Sequence, residues 1–257
     1  MDEWLGTPPG QYLLDWEQQQ LDRIVADLFG FHALQLGMPA IDGLRSNRMP
    51  HRWVGADQAT SGRIDLVLDP AALPFPENSL DLVVLPHTLE LSRDPHATLR
   101  EVHRVLVPEG KVVICGFNPT SLWGFRQQRA HWYQRFGAER WFLPQTGEFI
   151  GYWRLRDWLR LLGLEIEGGR FGCYRPAVQS TRWLNRFAWM DKAGDRWWPI
   201  LGSVYLLVAT KKVHGMRLVE RGWHASRRRV AQAAAPVGSG RVASAPNDAN
   251  PGTHGAR

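Results

Sequence analysis

His87 and Glu90 stand three residues apart, just past the apolar run "SLDLVVLP" (79–86). A neutral imidazole at such a strand end can take a proton from a hydroxyl or amine, and a carboxylate one helical turn on can orient the ring or cap a helix N-terminus. Asp57 closes the run "RWVGAD" (52–57), and Asp69 closes "RIDLVLD" (63–69). Acids at strand ends accept hydrogen bonds from ligand hydroxyl and amino groups, although Asp69-Pro70 is also a turn pair in its own right. Gln35 and Gly37 end a fourth run, at 33–36. A glycine there lets the backbone approach a ligand with no Cβ in the way, or simply makes a turn. No His/Cys/Asp/Glu group has metal-ligand spacing, so no metal is expected, and there is no G-x-S-x-G, P-loop or C-x-x-C motif.

The elements that must position these residues follow from periodicity. Leu14, Leu21, Ile24, Val25 and Leu28 predict a helix over 13–28 with a Gln-rich polar face. Short strands are expected at 33–36, 52–57 and 63–69. The near-continuous apolar runs at 79–86 and "KVVICGF" (111–117) read as strands buried on both faces. Asp94 followed by Pro95 signals a helix start, Leu99, Val102, Val105 and Leu106 make its buried stripe, and "PEG" (108–110) turns the chain into the next strand. A helix over 154–162 ending at Gly163, and strands over 164–174 and 203–210, complete an alternation of strands and helices. That pattern predicts an α/β domain with a largely parallel sheet and helices on both faces.

The chain has 257 residues and a net charge of +6. Residues 221–257 contain six arginines against one aspartate, so the basicity belongs to an Ala/Gly/Pro/Ser-rich tail that cannot bury a core. This composition predicts a disordered basic tail after a domain spanning 1–220, with no specific nucleic-acid partner. No apolar run reaches membrane-spanning length, and the acidic start "MDEWLGTPPG" has no leader-like apolar stretch. With Cys115 and Cys173 far apart, the expected compartment is the reducing cytoplasm. Nine of the thirteen tryptophans lie between residues 121 and 200, and the segment 119–153 has no clean period. Such density forms an aromatic cap holding an apolar substrate, the core of a small subdomain, or a peripheral membrane contact, since Trp and Arg favour that boundary.

The stretch 69–117 resembles the class I S-adenosylmethionine-dependent methyltransferases of the type-11, small-molecule kind. The residues that carry the resemblance are Asp69, Leu73-Pro74-Phe75, Asp81-Leu82-Val83, His87-Thr88-Leu89-Glu90, Glu101, Arg104-Val105-Leu106 and Pro108-Glu109-Gly110. The resemblance implies a Rossmann-like sheet of about seven strands whose last strand, "SVYLLVAT", is antiparallel. It implies S-adenosyl-L-methionine as cofactor, with Gln35, Gly37, Asp57, Asp69 and His87 around it. Asp57 would grip the ribose hydroxyls, Asp69 would reach the adenine amino group, His87 would act on the acceptor's proton, and Trp123 would shape the acceptor side. Two departures stand out. The family's D-x-G-x-G-x-G falls here on Gln35, Gly37, Pro39 and Ile41, which keeps one glycine of three. The short link from Asp57 to Arg63 leaves no room for the helix that follows strand two. Two functions are consistent with these residues: methyl transfer to a small or lipid-like acceptor, or a non-catalytic binding or regulatory role on the same fold.

Overall fold

The computed structural model describes residues 2–58, 63–127, 143 and 149–212. Two helices open the chain, α1 (Asp2–Leu5) and α2 (Pro8–Val25). Thr7 sits at the N-cap of α2, where its hydroxyl accepts from Gly10 N, and Pro8 and Pro9 occupy positions that need no donor. A Cβ on Gly10 would lie 2.3 Å from the Trp4 carbonyl, so only glycine permits this tight α1–α2 turn. The strands are β1 (His32–Leu36), β2 (His51–Ala56), β3 (Leu66–Val67), β4 (Leu80–Pro86), β5 (Leu106–Phe117), β6 (Leu164–Gly172) and β7 (Val204–Lys211). Between them lie α3 (Thr88–Leu91), α4 (Pro95–Val105), α5 (Tyr152–Leu161), α6 (Thr181–Arg186) and α7 (Trp189–Trp197), with a 3-10 turn at Pro199–Leu201.

The seven strands are ordered β3-β2-β1-β4-β5-β7-β6, and β7 alone runs opposite to the other six. This is the Rossmann-like sheet that the sequence predicts, last strand included. Alternation along each buried strand splits the core into two layers. Leu34, Leu36, Val83, Leu85, Val112 and Ile114 face α4 and α5, while Ala33, Leu82, Val84, Val113 and Cys115 face α2. Asp94 caps α4 by accepting from Ala97 N, as its position before Pro95 predicts.

The crossovers on the β2 side are unusual. The segment 37–50 between β1 and β2 forms turns instead of a helix, and sends Met38, Ile41, Leu44 and Met49 into the α2-side core. α2 therefore covers the sheet face next to β1. Several boundaries differ from expectation. α2 starts at Pro8, not residue 13, because Thr7 provides a cap. β3 shrinks to two residues: the Asp65 side chain accepts from Val54 N just before it, and the Asp69–Pro70 turn begins two residues after it. β5 starts at Leu106, with its register shifted at the 107–110 bulge, where Glu109 has φ 64°. β6 stops at Gly172, since Cys173 turns the chain with φ 60°. Gly163 ends α5 with φ 77°, as a C′ glycine should.

Among the described residues no helix is long and apolar enough to cross a membrane. The basic tail from 221 and most of the 119–153 cap, including Trp132 and Trp141, lie outside the described residues.

Candidate active site

Strand order reverses between β1 and β4, so the crevice where an open α/β sheet takes its ligand lies beyond Gly37 and His87. Gly37 has φ 74°, and its N–H donates to Gly55 O at 2.7 Å. A Cβ there would stand 3.1 Å from Thr88 Oγ1, which itself donates to Leu36 O. The glycine is thus required by both backbone angle and space. Met38 also has positive φ, 40°, so the chain turns sharply at this edge before Pro39.

Gln35 is fully buried and spoken for. Its Nε2 donates to Ile41 O at 2.7 Å, with longer bonds of 3.3 Å to Gly37 O and Met38 O, and its Oε1 accepts from Gly43 N at 2.8 Å. The amide ties residues 37–43 into one closed loop. An acid at this position could accept but not donate, so the glutamine that replaces the family's acid supplies the donor that three carbonyls need. It braces the loop, with both polar atoms of its side chain engaged within residues 37–43.

His87 follows β4 with φ 54° and is fully buried. Its Nδ1 lies 2.7 Å from Glu90 Oε2 and its Nε2 2.9 Å from Glu17 Oε1 on α2. Burial alone would push its pKa down, but the two carboxylates outweigh that and raise it to about 10. The ring therefore carries both protons at neutral pH. Glu90 Oε1 accepts from Phe117 N at 2.5 Å, which ties the cluster to the end of β5, and burial raises the Glu90 carboxyl against the pull of His87. Among the described residues, Glu17 Oε2 has no hydrogen-bond partner. A doubly engaged imidazolium has no lone pair for an acceptor's proton, so the general-base role expected of His87 meets a geometry that suits a clamp between α2 and the β4–β5 edge. Glu17 was invisible to sequence reasoning, because it lies within a Gln-rich face that reads as solvated.

Asp57 is exposed and lies one residue past β2 and two past Gly55, the partner of Gly37. The expected pairing of a close-approach glycine with an acid at the next strand end is thus present. Asp69 is exposed, and its Oδ1 accepts from Ala71 N at 2.8 Å, so one of its oxygens closes its own turn. Trp123 is fully buried, its Nε1 donates to Arg175 O at 2.8 Å, and it meets Trp4 and Tyr12 edge to face. That places it in the core below the aromatic edge, where it supports a wall and does not itself offer a free surface. Trp4 and Phe149 flank Phe117, with ring centroids at 5.9 and 5.3 Å, and Phe117 packs 4.3 Å from the His87 ring.

Comparison with known proteins gives this geometry its family. Residues 50–114 match the model of a methyltransferase domain. The Escherichia coli (strain K12) protein YafS, described as uncharacterized, is 30% identical over 213 residues, or 82% of this chain and 81% of its own. The demethylmenaquinone methyltransferase of Geobacillus kaustophilus is 33% identical over 97 residues, spanning 37% of this chain and 39% of that one. Among solved structures, an S-adenosylmethionine-dependent methyltransferase from Archaeoglobus fulgidus superposes with a TM-score of 0.54 at 16% identity, over 77% of this chain and 94% of its own. With the 3-2-1-4-5-7-6 sheet, the type-11 residues of 69–117 and these relatives in agreement, the chain belongs to the class I S-adenosylmethionine-dependent methyltransferases of the type-11 kind.

Proposed function

We propose that this chain binds S-adenosylmethionine at the β1–β2–β4 edge and transfers its methyl group to a small, lipid-like acceptor. The observation that carries this reading is the pair Gly37 and Asp57. A glycine held at φ 74° ends β1, and an exposed carboxylate ends the neighbouring β2, two residues past the Gly55 that Gly37 bonds. The residues present fit the cofactor. Gly37 offers the close approach, Asp57 accepts from ribose hydroxyls, and Asp69 has one oxygen left beyond its own turn. When bound, the sulfonium group supplies an already electrophilic methyl. The protein's part is to hold the acceptor in line and exclude water. Gln35 fixes the loop that carries Gly37, while the Glu17–His87–Glu90 cluster fixes α2 over the same edge. His87 is a positioning residue in this reading.

An apolar acceptor is supported by the Trp4–Phe117–Phe149 wall beside the edge. It is also supported by the quinone substrate named in the Geobacillus relative. A cavity of about 590 Å³ between α2 and α6, lined by Tyr12, Trp16, Arg175, Leu184 and Asp191, is of the size that takes a small molecule. There Arg175 Nε donates to Asp191 Oδ2 at 2.9 Å and the guanidinium stacks 4.3 Å over Tyr12.

Calorimetric titration with S-adenosylmethionine and S-adenosylhomocysteine tests the cofactor half. Wild type should bind both, and Asp57→Ala should weaken binding by about 1.5–3 kcal/mol, the scale of hydrogen bonds to a charged group. A wild type that binds neither would leave the non-catalytic reading of the fold.

A further inference from the structure

The surface that follows β6 serves neither the sheet nor the cofactor edge. Helix α7 places Trp189, Ala193 and Trp197 at i, i+4 and i+8, which is one stripe of a helix. Its opposite side is pinned inward: a Cβ on Gly194 would lie 2.3 Å from the Tyr174 ring, and Asp191 is held by Tyr12 and Arg175. The stripe is therefore turned out, and Trp189 and Trp197 are 60% and 68% exposed. The 3-10 turn continues it. Trp198 meets Trp197 edge to face at 5.9 Å, and Ile200 and Leu201 are exposed beside it.

The carboxylates beside the stripe are each matched by an arginine, and the cations are in excess. Asp191 is consumed internally, and Asp195 faces Arg170 at 3.9 Å. Lys192 and Arg196 flank the tryptophans on the helix. Among the described residues, neither they nor Arg182 and Arg186 on α6 lie within ion-pair distance of a carboxylate. On α6 the Arg186 guanidinium instead sits 5.8 Å from the centre of the exposed Trp183 ring.

We infer that the α6–α7 surface docks this protein on an anionic lipid bilayer, with Trp189, Trp197 and Trp198 at headgroup depth and Lys192 and Arg196 on the lipid charges. Tryptophan combines a large apolar ring with a polar N–H and favours that boundary, and a helix with an aromatic face edged by Lys and Arg lies in the interface plane. A protein partner would need carboxylates placed to match four separate cations. A bilayer carrying anionic lipid offers negative charge at every position along the surface. Docking is independent of methyl transfer, but it would bring the aromatic wall and the α2–α6 cavity to a lipid-dissolved acceptor.

Vesicle flotation of the full chain tests it, using phosphatidylcholine vesicles with and without phosphatidylglycerol. The chain should float with the anionic vesicles, and its tryptophan emission should shift to shorter wavelength. Trp189→Ser/Trp197→Ser should reduce partitioning more than tenfold. Lys192→Gln/Arg196→Gln should reduce it about fivefold for each residue, as expected for a basic group near such a surface. All these positions are exposed, and matching circular dichroism melts verify that the variants fold. Because every variant keeps the basic tail, anionic-vesicle binding that the tryptophan pair does not alter would overturn the inference. So would a chain that ignores both vesicles but self-associates through the tryptophans in sedimentation, since the face would then be covered by a second copy.

Discussion

The Glu17–His87–Glu90 cluster makes stability depend on pH in a way that can be worked out beforehand. His87 has a pKa near 10 in the folded chain against 6.5 for an ordinary imidazole. Its contribution is fully present below pH 6.5 and is lost as pH rises toward 10. Each pH unit in that interval removes up to about 1.4 kcal/mol, because the folded state holds one proton that the unfolded state has released. Between pH 6.5 and 8.5 the loss should reach about 2 kcal/mol. Glu90, whose carboxyl is raised by burial, acts in the same direction. His103 is lowered by burial and by Lys211, so its effect is confined below about pH 6.5 and does not interfere. Urea unfolding at pH 6.5, 7.5 and 8.5 reads the slope. Glu17→Gln removes one of the two carboxylates while keeping an amide in place. It should cost about 1.5–3 kcal/mol at neutral pH, as for a lost bond to a charged group, and it should flatten the slope toward pH 8.5 because the His87 pKa falls. Nitrogen-15 spectra of the imidazole provide an independent check, with wild-type His87 still doubly protonated at pH 8. Stability that is flat or rising from pH 6.5 to 8.5 would refute the clamp, as would an unchanged slope in Glu17→Gln.

Gln35→Ala strips Ile41 O and Gly43 N of their partners inside a buried loop, and should lower stability by about 2–3 kcal/mol in denaturant titration and weaken cofactor binding with it. Gly37→Ala forces a Cβ into a left-handed turn against Thr88, so a loss of more than about 1 kcal/mol is expected, read by thermal melting. Trp123→Ala should cost about 3–5 kcal/mol as a core truncation. If instead it leaves stability unchanged and raises only the acceptor KM, Trp123 contacts substrate.

What the sequence made legible is what short-range pattern can carry. The apolar runs at 79–86 and 111–117 fixed β4 and β5 at the centre of the sheet, and Asp94-Pro95 fixed the start of α4. The acid after "RWVGA" and the glycine after "HALQL" were correctly placed at adjoining strand ends. The roles of Gln35 and His87 were not legible, because each depends on partners far along the chain or on loop shape. Glu17 is 70 residues from His87, and nothing in a Gln-rich helix marks one glutamate as buried. α6 and α7 were missed for a related reason: α6 buries only Leu184 and α7 only Gly194, and their tryptophans face outward, so neither shows the core-facing apolar stripe by which the other helices were read.

The placement of α2 has a consequence for how the chain is made. It leaves the ribosome before everything that receives it. His87 follows Glu17 by 70 residues, Arg170 follows Gln20 by 150, and Asp191 follows Tyr12 by 179. At the usual rates of synthesis the last of these arrives on the order of 10–35 s after the helix itself. Until β1, β4 and His87 follow, Leu13, Leu21 and Val25 have no sheet to cover and Glu17 has no imidazolium to meet, so the nascent α2 exposes its apolar stripe first and gains its last anchors much later.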